Sequence, residues 1–538
     1  MRRGWEAWAI GGLLGVAAIW QLAFALTWPL NHASGDAPNY LRMMLLGESN
    51  LTHAALYPYL LAHWLPLFAA DVPADLPFID EWFVGRVLFA QHALHFALSV
   101  AAMLLVRRAF GTLVALGFFA LHLLSPFMLG NVTTTQPEWL QADLLVLSLA
   151  LAFVAAQEVR VPRKVALHVV ACALMGAAYL VKYNTLPFAV ALVLVLVADR
   201  GAWRARLLAG ALGAAAAVVM VQAWIGLFHA PTTGARDLHY NHAWILLGRL
   251  ELLHGDDTLE RSPGGIDVQR WRALVRLVPQ EYQHARAFRS VHDTAGEAEA
   301  TPHREAFRRV MEASPDELSR IIAERPLPPH FKLGVSMIPL MWYVGLHEAD
   351  ALGIAVFRDW VAHNPREYAG SVARRLLGYR ALREGRMWVP TTHDQFGLAR
   401  GEWLVLGYRR WENPSPSGYH ERYWSVRAAV WEPGFRFFSL AARSWHAWLP
   451  ERGLLALALA WMLLPARFGG GSFAQRAAVF ALFASVAAFL LASNLVLFAR
   501  DKETVALWPV LSLLWAVGAV GTLRAGTILF AGLRARAA

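Results

Sequence analysis

Six ionisable side chains stand in or beside long apolar runs: Asp36, Arg86, Glu138, Asp143, Lys182 and Arg500. An ionisable group at membrane depth is costly enough to be a functional candidate by default. Asp36, Glu138, Lys182 and Arg500 fall near one level, two carboxylates and two cations, while Arg86 and Asp143 lie deeper. That combination suits a reaction that needs a general base and cations to neutralise a phosphate. Each residue also has a plainer reading. In "GDAPNYLRMMLL" Asp36 precedes Pro38 by two positions, as the N-cap of a helix over 37–46 would. Glu138 follows Pro137 at the start of an apolar run, where the helix dipole favours an acid. Lys182 and Arg500 suit interfacial snorkelling, and Arg86 has Asp80 and Glu81 nearby as partners. Capping and reactivity are compatible for Asp36, because a cap side chain keeps its oxygen accessible at the helix end.

The elements that must position these groups follow from composition. Of 538 residues 57% are hydrophobic and 16% charged, which excludes an ordinary soluble protein and indicates a polytopic membrane protein. Ten apolar runs of roughly membrane-spanning length fall at 8–28, 83–106, 112–130, 139–157, 165–181, 185–198, 207–228, 453–466, 474–498 and 504–523, the sixth and eighth being short. The "MRR" start resembles a signal peptide, but the long first run without a small-residue cleavage site reads as a retained span. Every second connection is basic: Arg2/Arg3, Arg107/Arg108, Arg160/Arg163/Lys164, Arg200/Arg204/Arg206, Arg467/Arg476 and Arg524/Arg534/Arg536. By the positive-inside rule both ends are cytoplasmic. This bias and an Arg-rich soluble region account for the net charge of +10 without a nucleic-acid partner.

Residues 229–450 break the pattern. They are mostly polar, punctuated by "SPGGID" and "ENPSPSG", and long enough for a small domain on the non-cytoplasmic side. Segments 303–325 and 351–384 have helix-like spacing, 385–430 reads as loop with short strands, and "RFFSLAARSWHAWL" suits an interfacial helix. The division is therefore 1–228 (spans 1–7, with outer loop 29–81), 229–450, and 451–538 (spans 8–10). "HYNHAW", "HGDD" and "HEAD" match no strong metal pattern, and the single Cys172 provides no disulfide framework and no cysteine metal site. No metal ligand is assigned; a divalent metal is compatible with the residues but no motif indicates one.

Several landmarks then occur in a recognisable order. Asp36 and Tyr40 follow the first span; "HAALYPYLLAHWLPLFAA" comes next; Arg86 opens the second span and "RRAFG" closes it. "SPFMLGNVTTTQPEWLQADLL" leads into the fourth span, "GAAYLVKYN" ends the fifth, and "NPREYAGSVARRLLGYR" is amphipathic. In this order they resemble the GT-C glycosyltransferases, more narrowly the dolichyl-phosphate-mannose:protein mannosyltransferases and bacterial relatives that use polyprenyl-phosphate sugars. The resemblance covers 1–230 well and 350–380 loosely. Many relatives have two adjacent acids where Gly35 precedes a lone Asp36, two prolines where Ala54 and Ala55 stand, and Arg-Tyr where Arg500 and Asp501 stand.

The resemblance implies an all-α, GT-C-like membrane protein with a mainly helical periplasmic domain between spans 7 and 8, in a bacterial inner membrane. It implies Asp36 as the general base. Lys182, Arg500 and Arg86 would bind the donor phosphate, and Glu138, Tyr40 and Asp143 would be acceptor-positioning or supporting residues, Glu138 alternatively a metal ligand. The donor would be a polyprenyl-phosphate-linked sugar, and the acceptor a glycan, lipid or protein hydroxyl. Two other classes remain open: an O-antigen ligase or polymerase relying on loop Arg and His residues, and a transporter or scaffold. A transporter is expected to show matching repeats, against which the seven-and-three division of spans argues.

Overall fold

The computed structural model describes residues 2–27, 40, 43, 54, 56–64, 81–133, 137–233, 236, 238, 242–255, 257–277, 305, 307–327, 346–378, 449–464, 470–495 and 505–537. Among these every regular element is helical. Among the described residues seven helices are long and apolar enough to cross a membrane, which makes this an integral membrane protein. Shorter apolar helices occupy Thr112–Leu123, Tyr183–Ala198 and Arg452–Leu463, where the sequence places the third, sixth and eighth spans.

In chain order the elements are α1 (Arg2–Thr27), α2 (Leu56–Trp64), α3 (Glu81–Phe110), α4 (Thr112–Leu123), α5 (Pro126–Val132), α6 (Glu138–Gln157) and α7 (Val161–Val181). A 3₁₀ turn (Tyr183–Phe188) leads to α8 (Ala189–Ala198) and α9 (Trp203–Trp224), which ends in a π turn (Ile225–His229). The expected third span, 112–130, is two pieces instead: Ser125 adopts an extended backbone and Pro126 begins α5. Proline lacks the N–H that would continue α4 and disfavours helical geometry in the residue before it. At the α3–α4 corner Gly111 has φ 95°, a left-handed conformation that glycine adopts without penalty.

Helix α6 is the centre of the bundle. Nearly its whole length is buried, and it packs against α3, α7 and α8. Near the C-terminus, α17 (Glu451–Leu463), α18 (Phe473–Leu495) and α19 (Trp508–Ala537) close the bundle, α18 on α8 and α19 on α4 and α17. A Cβ at Gly518 would lie 2.3 Å from the Leu454 carbonyl oxygen, so α19 can approach α17 this closely only through a glycine.

The ends of the bundle differ chemically. The basic connections gather at one end, with Arg107 3.0 Å from Glu6, Arg108 and Arg163 3.1 and 3.3 Å from Glu158, and Lys164 2.8 Å from Asp199. Glu138 and Lys182 lie at the opposite ends of α6 and α7.

A second hydrophobic core forms within 243–372 around Leu247, Trp271, Leu274, Val356 and Trp360. After the short α10 (Ala230–Thr233), its elements include α11 (His242–His254), α12 (Thr258–Arg261), α13 (Ile266–Leu277), α14 (Pro315–Glu324), α15 (Leu346–His363) and α16 (Pro365–Gly378). The helix-like stretch read across 351–384 divides at Asn364, because Pro365 starts a new helix. Asp359 accepts from the backbone N–H groups of Gly265, Asp267 and Val268, capping the start of α13. Arg249 donates to the Ser493 carbonyl and Tyr368 to that of Leu495, tying this core to the end of α18. The strands read in 385–430 and the interfacial helix at 436–449 lie outside the described residues.

Candidate functional site

Local chemistry places Glu138 and Lys182 face to face. Pro137 begins α6 and leaves Glu138 in its first turn, beside the positive end of the helix dipole. Helix α7 stops at Val181, and Lys182 leaves it with extended backbone (φ −159°, ψ 125°) before the 3₁₀ turn. Because α6 and α7 pack antiparallel, the start of one meets the end of the other. Lys182 Nζ lies 2.5 Å from Glu138 Oε1, with the two side chains 15% and 4% exposed.

Gln141, three residues along α6 from Glu138, clamps the turn carrying Lys182. Its amide donates to Asn184 Oδ1 at 2.5 Å and to Thr185 Oγ1 at 2.6 Å. The Thr185 hydroxyl is placed to donate to the carbonyls of Ala178 and Lys182, at 3.0 and 2.8 Å. Glu138 Oε2 is buried and has no hydrogen-bond partner among the described residues. A buried carboxylate oxygen left unmatched is expensive, and a donor group on a bound ligand would satisfy it.

An aromatic wall adjoins this pair. Tyr40, buried, meets Tyr57 edge to face with centroids 5.8 Å apart, and Tyr57 meets Trp139 at 6.1 Å. Tyr57 donates from its hydroxyl to Gln91 Oε1 at 2.9 Å, and Gln91 in turn donates to the Val132 carbonyl. Burial pushes the Tyr57 phenol well above its usual range, and the Glu138 charge adds to that shift. Tyr57 is therefore a neutral donor across the physiological range rather than a base.

Asp143 lies farther along α6, in a separate polar cluster. Its Oδ2 is 2.7 Å from His95 Nδ1 and its Oδ1 2.9 Å from His122 Nε2, all three side chains being fully buried. The cluster ties α3, α4 and α6 together, and the His95 ring lies edge-on to Trp139 at 6.4 Å.

Of the residues singled out from sequence, Glu138 and Lys182 are brought together, Tyr40 joins the aromatic wall beside them, and Asp143 belongs to the imidazole cluster. Arg86 falls early on α3, its side chain outside the described set; Asp36 and Arg500 lie outside the described residues. Sequence reasoning missed Gln91, His95, His122 and Gln141. A signal existed for two of them: Gln91, His95 and Ser99 recur every four residues, a polar stripe through the middle of the helix.

No family model matches the sequence, and no curated protein does. Among solved structures, the crystal structure of ArnT from Cupriavidus metallidurans bound to undecaprenyl phosphate aligns with 94% of this chain and 78% of its own length. The identity is 17% and the TM-score 0.33.

Proposed function

We propose that this chain is an inverting glycosyltransferase of an inner membrane, moving a sugar from a polyprenyl-phosphate donor to an acceptor hydroxyl at the periplasmic face. The reading joins ten spans with both termini cytoplasmic, a periplasmic domain over 229–450, and the ordered landmarks of the GT-C resemblance. One observation carries it furthest: a buried cation–carboxylate pair, Lys182 and Glu138, at the end of the bundle away from the basic connections.

In the proposed reaction Asp36 takes the proton of the acceptor hydroxyl as its oxygen bonds to the anomeric carbon. The bond from that carbon to the phosphate oxygen breaks, and the polyprenyl phosphate leaves with the electron pair, inverting the centre. Charge develops on the departing oxygen, so a fixed cation there lowers the barrier. Lys182 fills this role, with Arg500 and Arg86 as further phosphate ligands. An ammonium offers three donors, so a Lys182 held by Glu138 can still donate to a phosphate oxygen. Glu138 orients it, and Gln141 fixes the backbone beneath. Tyr40 and the free oxygen of Glu138 face the acceptor side, with Asp143 in support.

The test is release of polyprenyl phosphate from a panel of polyprenyl-phosphate sugars by the purified protein in proteoliposomes containing envelope glycan. Release by the native chain and its loss in Asp36→Asn supports the reading. Release that survives Asp36→Asn but is lost on substitution of Arg or His in 229–450 favours the ligase or polymerase class and overturns it.

A further inference from the structure

Asp143 poses a charge problem that its supporting role in the reaction above does not solve. It is fully buried within the bundle, and its two oxygens meet two imidazoles. Among the described residues no Lys or Arg pairs with it. A carboxylate in an apolar interior is neutralised or balanced by a cation rather than left alone.

We propose that His95, His122 and Asp143 form a site for one divalent transition-metal ion of the zinc class, held between α3, α4 and α6. Each residue contributes one ligand atom, and these atoms lie within 4.8 Å of one another. Tetrahedral coordination at ordinary Zn–N and Zn–O lengths needs neighbouring ligand atoms about 3.3 Å apart. His95 Nδ1 lies 2.7 Å from Asp143 Oδ2 and His122 Nε2 2.9 Å from Oδ1. The oxygen that ligates opens from its own imidazole by roughly half an ångström, and the three ligand atoms already lie within 4.8 Å of one another. Side-chain rotation can supply this without moving a helix.

The donor set discriminates among ions. Two imidazoles and one carboxylate suit Zn²⁺, Co²⁺ or Ni²⁺ and not Mg²⁺ or Ca²⁺, which take oxygen. Only Asp143 fixes the imidazole tautomers, because His95 Nε2 and His122 Nδ1 have no hydrogen-bond partner among the described residues. Both rings can therefore turn a lone pair to the ion and carry their proton on the far nitrogen. That costs two unmatched N–H groups, which only strong metal–ligand bonds offset. Three protein ligands leave a fourth position. Water can fill it; Ser99, one turn from His95 along α3, is buried with a hydroxyl that has no partner among the described residues and is of the type to hold that water.

The test uses the full chain in nanodiscs, with affinity tag removed and no chelator, and does not depend on transferase activity. Metal analysis of the native chain should give about one equivalent of zinc-class metal per chain. Exchange into Co²⁺ should give the intense visible bands of a tetrahedral site. X-ray absorption at the metal edge should show imidazole scattering and no sulfur. Asp143→Asn and His95→Gln should each lower occupancy at least tenfold, whereas His254→Gln, in the second core, should keep it. If either cluster variant fails to fold, the Co²⁺ and X-ray absorption spectra of the native chain decide. A native chain that takes up no Co²⁺, or whose metal survives both cluster substitutions, overturns the proposal: the cluster is then balanced by a proton, or the ion is adventitious.

Discussion

Lys182 Nζ lies 2.5 Å from Glu138 Oε1, so an ion pair joins the first residue of α6 to the first residue beyond α7. Removing one partner strands the other in a low-dielectric setting, at a cost on the order of 3 kcal/mol for a buried pair, less here because Lys182 keeps some exposure. Lys182→Met and Glu138→Gln are each expected to lower the unfolding temperature in detergent. The double variant should be less destabilised than the sum of the two, since neither charge is then stranded. On transfer the two differ: Lys182→Met should cost at least about 100-fold in kcat, the scale of a lost charge-stabilising donor, and Glu138→Gln less. Equal losses would show the pair to be structural only.

Gln141 acts on Lys182 through the turn at 182–185. Gln141→Leu removes the donors to Asn184 and Thr185 while keeping apolar volume, and frees the extended backbone of Lys182. We expect kcat to fall about tenfold with little change in KM, the signature of lost positioning rather than lost binding. Gln141→Glu should not rescue, because an acceptor there faces the oxygens of Asn184 and Thr185. Steady-state kinetics on the three proteins separates these outcomes.

Asp36→Asn should abolish transfer while leaving polyprenyl-phosphate binding within about threefold, because a base acts only in the transition state. Titration of nanodisc-embedded protein with polyprenyl phosphate, followed by tryptophan fluorescence, checks the binding arm. Loss of binding as well as transfer would assign Asp36 to fold or donor recognition instead.

His254 predicts an acid-sensitive second core. It is packed on Trp360 with ring centroids 4.9 Å apart, and its Nδ1 lies 3.1 Å from Glu367. Burial lowers its pKa below the ordinary histidine range; Glu367 opposes that shift, and Arg374 and Arg249 reinforce it. The unfolded chain therefore binds the proton more readily than the folded one. Its contribution to stability is complete above about pH 6.5, the unfolded histidine value, and is lost as pH falls through the window below. Thermal unfolding should show the native chain losing more stability than His254→Gln between about pH 7 and about pH 5. Parallel curves would contradict this.

Much of the helical layout was legible because membrane spans are read from apolar length alone, and the breaks at Pro126 and Pro365 are written as prolines. The pairing of Glu138 with Lys182 was legible only in part. Each residue stood out as a charge at the end of an apolar run, but their meeting depends on the register of α6 against α7. The Asp143 cluster was less visible still. Its three residues lie on three helices, and nothing in one sequence tells which faces those helices turn to each other. Gln141 carried no signal at all, since a glutamine in a span is unremarkable until the turn it holds is seen.

The most direct measurement is a cryo-electron microscopy structure of the chain with bound polyprenyl phosphate. The proposed function requires the phosphate within salt-bridge distance of Lys182, about 4 Å, and Asp36 facing the same cavity. A phosphate bound elsewhere, or Asp36 turned to the lipid, would contradict it.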